Sequence, residues 1–99
     1  MITVGMHYDV REGKERAFED GFASIERALR QATGHTSSRL YRDVAKPRSY
    51  LIYSEWTSVA EFQKFIQSDA FRAAVNWGKE EILEGRPRHQ IWKGATADV

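Results

Sequence analysis

Apolar residues in this chain recur at every second position in some stretches and at every third or fourth in others. The order of those stretches constrains the fold more than any single motif does. Ile2, Val4, Met6, Tyr8 and Val10 alternate with Thr3, Gly5, His7 and Asp9, the period of a half-buried strand. After Arg11-Glu12-Gly13, the stripe Phe18, Phe22, Ile25 and Leu29 follows helical spacing from Lys14 to Gln31. Gly21 lies inside that helix at a cost of about 1 kcal/mol relative to Ala, and predicts close approach of its backbone to the sheet. Gly34 supplies a left-handed position past the helix end. His35 to Asp43 reads as a polar strand suited to a sheet edge. Pro47 marks a turn, and Ser49 to Trp56 is the most strand-like stretch, so it is expected at the centre. Ser58-Val59-Ala60-Glu61 opens a helix as a capping box, and Ser68-Asp69 caps a further segment in which Gly78 predicts a bend. Gly85-Arg86-Pro87 ends the helical region before a last strand, Arg88 to Lys93.

Strand, helix, strand, strand, helix, strand is the ferredoxin-like βαββαβ plan, an α+β fold. It places both helices on one face of an antiparallel four-stranded sheet. With 99 residues the chain makes a single domain, expected over 1–93, with a flexible small-residue tail over 94–99. A chain this short buries only about 60–65% of its unfolded surface. The sheet face without helices carries apolar and aromatic groups, which predicts a second copy packed against it. Lys and Arg total 15 against 14 Asp and Glu, a net charge of +1 without a basic block, so no nucleic-acid partner is expected. Cysteine is absent, which excludes disulfides, thiolate metal sites and a cysteine nucleophile. No apolar run of transmembrane length and no signal-peptide pattern occurs, so the expected compartment is the cytoplasm, with no membrane partner.

Three stretches together resemble the antibiotic biosynthesis monooxygenase family of dimeric α+β barrels. They are Ile2–Val10 followed by Glu12-Gly13-Lys14, then Tyr50-Leu51-Ile52-Tyr53-Ser54-Glu55-Trp56, then Phe62-Gln63-Lys64-Phe65-Ile66-Gln67-Ser68-Asp69-Ala70-Phe71. The resemblance spans Met1 to about Trp92. It implies a homodimer with facing sheets. It also implies an activity drawn from a range that includes cofactor-free oxygenation of phenols and quinols, and haem degradation. The haem-degrading branch keeps an Asn, a Trp and a proximal His at positions that here are Met6, Phe65 and Val75. All three have changed, and without that imidazole a haem iron would need another ligand.

The cleft between helices and sheet is the expected pocket for a small aromatic ligand. Met6, Tyr8, Phe65, Arg72, Val75, Asn76 and Trp77 are its candidate lining residues. Phe65 and Val75 have helical spacing that also suits plain core packing. A cofactor-free oxygenase needs a base, a donor for the phenolate and a dry cavity. Tyr8, Tyr53, His7 and Asn76 are the candidate catalytic groups, and none stands out as the base. No cofactor is expected. His7 and His89, on neighbouring strands, could meet across the sheet and hold a metal with Asp9 or Glu55, or serve as hydrogen-bonded interface residues. His35 is expected in solvent. The arginines 39, 42, 48, 86 and 88 gather at strand ends and could select an acidic substrate. Three functions therefore stand open. One is a cofactor-independent monooxygenase of small phenols or quinols. The second is a non-catalytic ligand-binding homodimer. The third is an atypical haem binder using His7 or His89.

Overall fold

The computed structural model describes residues 1–93, and the tail expected over 94–99 lies outside them. The elements run β1 (Ile2–Asp9), α1 (Glu15–Gln31), β2 (His35–Arg42), β3 (Ser49–Trp56), α2 (Val59–Ile66), α3 (Asp69–Trp77), a π-helical turn (Gly78–Ile82) and β4 (Arg88–Lys93). The strands form one antiparallel sheet in the order β2-β3-β1-β4, so the apolar β3 is central and the polar β2 is an edge. This is the ferredoxin-like α+β fold. No helix among the described residues is long and apolar enough to cross a membrane.

Register decides which side chains meet the helices, because directly opposed residues in an antiparallel pair share a face. Ile2, Val4, Met6 and Tyr8 oppose Trp56, Ser54, Ile52 and Tyr50. On β4, Ile91 opposes Val4 and His89 opposes Met6. On β2, Leu40 opposes Ile52 and Ser38 opposes Ser54, but the register slips between His35 and Ser37. The slip is a β-bulge, and it has a directional consequence. Residues three apart on a regular strand point to opposite faces, whereas the extra residue here turns His35 and Ser38 to the same, helix-covered face.

Local chemistry sets the helix boundaries. Ser58 Oγ accepts from the Glu61 amide at 3.2 Å, and Ser68 Oγ accepts from the Phe71 amide at 3.2 Å. Ser68 therefore divides the region into α2 and α3. Gly78 does not bend the chain. It keeps helical torsions, and the helix widens instead: the Leu83 amide donates to the Gly78 carbonyl, five residues back, at 2.7 Å. Gly21 does admit a close neighbour, but that neighbour is not the sheet. A Cβ there would lie 2.6 Å from Cζ3 of Trp77, so the missing side chain makes room for an indole from α3.

The core is in two parts. One holds Ile2, Val4, Leu29, Trp56, Phe62 and Phe65; the other holds Val10, Phe18, Tyr50, Ile82 and Leu83. Members of both line a cavity between the helices and the sheet.

Candidate functional site

The cavity has a volume of about 400 Å³. Its floor is the helix-facing side of the sheet: Met6 and Tyr8 from β1, Ile52, Ser54 and Trp56 from β3, and Ser38 from β2. Its walls are Phe18, Phe22 and Ile25 of α1, Phe62 and Phe65 of α2, and Phe71, Ala74, Val75 and Trp77 of α3. Lys79 and Arg86 stand at its exposed edge, and no carboxylate among the described residues lines it. A mostly apolar wall with a few placed polar groups suits a small, largely apolar guest.

Two polar clusters break the apolar floor. In the first, the Tyr8 hydroxyl donates to Met6 Sδ at 3.7 Å. Burial pushes the Tyr8 phenol up to about 12, so it stays protonated at neutral pH and acts as a donor, not a base. Thioether sulfur is a weak acceptor, so a guest oxygen competes easily for that proton. The second cluster spans β2 and β3. Trp56 Nε1 donates to the buried Ser54 Oγ at 3.2 Å, and the opposed Ser38 Oγ lies 2.8 Å from His35 Nε2. The His35 ring packs edge-on to Trp56 at 5.2 Å, so it is half-buried and not free in solvent as the sequence predicts. Burial lowers its pKa below the ordinary imidazole value of 6.5, and the Ser37 backbone and Glu26 pull it partly back. Tyr50, also pushed up to about 12 by burial and then by Glu19, donates to Glu19 Oε2 at 2.6 Å and packs the core.

The candidate residues separate by strand parity and helical phase. Met6, Tyr8, Phe65, Val75 and Trp77 line the cavity. Arg72 and Asn76 do not. They lie four apart on the exposed side of α3, while Phe71, Ala74 and the more exposed Val75 line the cavity. Tyr53 and His7 have the opposite parity from the floor and lie on the uncovered sheet face. His7 and His89 cannot meet across strands, because His7 opposes Arg88 while His89 opposes Met6 on the other face. Asp9 is engaged by Arg88 at 3.8 Å, and Glu55 accepts from Ser37. No group of three potential metal ligands occurs among the described residues. Of the five arginines only Arg86 reaches the cavity; Arg48 lies 3.8 Å from Glu84.

Sequence reasoning leaves Ser38 and Ser54 out of the site and places His35 in solvent. One signal points to Ser54: the inward positions of the central strand are Tyr50, Ile52, Ser54 and Trp56, and a small hydroxyl side chain among these large ones is out of place in a core.

An α+β sheet roofed by helices over an apolar cavity defines a class of small-molecule sites, and comparison with known proteins narrows it. Residues 1–77 match the model of the antibiotic biosynthesis monooxygenase family. The chain belongs to that family, whose members are generally homodimers. Among curated relatives, a protein of Haloquadratum walsbyi named as a candidate heme-binding protein is 31% identical over 87 residues, covering 88% of this chain and 16% of that protein. A 42.8 kDa protein in the whiE locus of Streptomyces coelicolor is 31% identical over 68 residues, covering 69% of this chain and 17% of that protein. The chain thus spans about a sixth of the length of these relatives. Among solved structures, a conserved protein from Methanosarcina mazei superposes with a TM-score of 0.87 at 19% identity, covering 95% of this chain and 92% of the other. SnoaB of Streptomyces nogalater, a cofactor-independent oxygenase, gives 0.83 at 19% identity, covering 96% and 93%. These likenesses establish the shared fold. A haem in the cavity would meet Met6, Phe65 and Val75 but no imidazole, since none of the three histidines lines it.

Proposed function

We propose that the protein is a cofactor-independent monooxygenase that oxidises a small phenol or quinol with O₂ inside this cavity. The observation that carries this reading is the Tyr8 hydroxyl, held protonated in a mostly apolar chamber and bonded, among the described residues, to a thioether alone. Such a donor stabilises the oxyanion of a deprotonated phenol, and the dry walls protect the electron-rich anion while it reduces O₂. The chemistry balances without a cofactor. A naphthol takes up one O₂, gains one oxygen atom at the carbon para to its hydroxyl, and releases the other as water with two of its own hydrogens. SnoaB, a cofactor-independent oxygenase, supports the same reading by fold likeness alone.

Oxygen uptake with a panel of naphthols and naphthohydroquinones tests it. We expect at least one panel member to be consumed with equimolar O₂, and Tyr8→Phe to slow that turnover on the order of 10²-fold. Binding without oxidation across the panel would instead establish a non-catalytic ligand-binding protein. The names of the haloarchaeal relatives favour haem as a second occupant. The donors facing it are the Met6 sulfur and the Tyr8 oxygen, a poor match to imidazole ligation. A haemin titration without a shifted Soret band removes that reading.

A further inference from the structure

We propose that Ser38 and His35 form the proton-accepting arm of the cavity: the Ser38 hydroxyl takes the proton of a bound phenol while passing its own to Nε2 of His35. The inference deepens the oxygenase reading, which has a donor in Tyr8 but lacks a base.

Three observations support it, the second following from the first. First, the bulge between His35 and Ser37 turns both side chains toward the helix-covered face, which a regular strand would not do. Bulges recur next to active sites because they re-aim a side chain in this way. Second, Ser38 lines the cavity on one side and lies 2.8 Å from His35 Nε2 on the other, so one hydroxyl links guest and imidazole. The link works in the tautomer that carries its proton on Nδ1, with Ser38 donating to Nε2. Third, His35 has a second exit. It borders a polar surface groove between α1 and β2 that also holds Glu26 and Arg30, a pair 3.3 Å apart. A proton received at Nε2 leaves from the imidazolium into that groove. In the transfer the phenol O–H breaks, an Oγ–H forms, the original Oγ–H proton becomes Nε2–H, and the products are phenolate and imidazolium. Charge is separated but conserved, and no further reactant is required.

The surroundings keep His35 ready to accept. Trp56 covers one edge of the ring, and Ser38 supplies its hydrogen bond. Glu26 and Arg30 of α1 share its groove, and Glu61 of α2 packs against the adjacent Gly34. With burial the largest influence, the ring is unprotonated at neutral pH. Ser38 touches the guest; His35 acts through it as a positioning and accepting group.

A nitrophenol, whose phenolate is yellow, tests the arm without requiring turnover. Bound to the full chain at neutral pH, it is expected to show the phenolate band in the wild type and in Ser38→Thr, which keeps the hydroxyl. In Ser38→Ala and His35→Gln the bound dye reverts to its neutral spectrum. Ser38→Ala removes one oxygen from a half-buried site, so its unfolding curve serves as the check that the fold is intact. On any phenol that is oxidised, the acidic limb of kcat/KM in the wild type lies below pH 6.5. Ser38→Ala abolishes that limb and lowers kcat on the order of 10²-fold. Identical bound-dye spectra in the wild type and Ser38→Ala overturn the proton arm alone. Failure of the wild type to take up the dye overturns the phenol-site reading and the arm with it.

Discussion

Gly21 shows how one residue couples the helix layer to the cavity. Its position in mid-helix costs about 1 kcal/mol relative to Ala, and the compensation is the Trp77 indole lying against the bare backbone. In Gly21→Ala the new Cβ would lie 2.6 Å from that ring, so the indole must move. Displacing a packed side chain costs roughly 1–3 kcal/mol, which outweighs the gain in helix propensity. The variant is expected to lose about 1 kcal/mol in a urea titration. Because Trp77 also forms cavity wall, nitrophenol affinity should fall as well. A variant that is more stable than the wild type and binds the dye unchanged would show that the indole is not held there.

Most elements were legible because their signals are local and periodic. The alternation of β1, the Phe18–Leu29 stripe of α1 and the two serine caps each depend on residues within a few positions of one another. What was not legible depends on pairing between distant segments. The bulge in β2 leaves no mark in the sequence, since it is the register against β3 that inserts the extra residue. Its consequence, the His35–Ser38 contact, was therefore hidden, and the polarity of β2 read only as an edge property. The His7–His89 pairing is absent for the same reason: the sequence predicts neighbouring strands, but a register one residue different reverses which side chains share a face. On α3, helical phase alone separates Val75, which lines the cavity, from Asn76, which does not. The cap at Ser68 fixes where that phase begins. Ser68→Ala removes the acceptor of the Phe71 amide and should cost about 1 kcal/mol of stability. Since α3 carries Phe71, Val75 and Trp77, hydrogen exchange should accelerate in α3 before it does in α1. Uniform acceleration across both helices would mean that α3 does not open as its own unit.

At the scale of the whole molecule the sheet poses a single problem, because helices cover only one of its faces. On the other, Leu51 and Tyr53 of β3 are flanked by Tyr41 of β2 and by Trp92 of β4, whose ring lies over Gly5. Tyr41 is 50% exposed, Trp92 49% and Tyr53 36% in the single chain. A cluster of aromatic groups on a regular sheet surface, mixed with Arg39, His7 and the Asp9–Arg88 pair, has the make-up of an interface core with a polar rim. The family's habit of pairing points to a second copy of this chain as the partner. Self-association through one face is isologous, so a lysine introduced there faces lysines of its own copy across the twofold axis. Tyr53→Lys combined with Trp92→Lys is therefore expected to convert a species of twice 11.4 kDa at micromolar concentration into a monomer, read by sedimentation equilibrium. The helix-side cavity uses neither residue, so dye binding by the folded monomer should persist. Thermal stability should fall, since a lone domain of this size leaves roughly a third of its unfolded surface in water. A wild type that sediments as a monomer would leave the aromatic face without its partner.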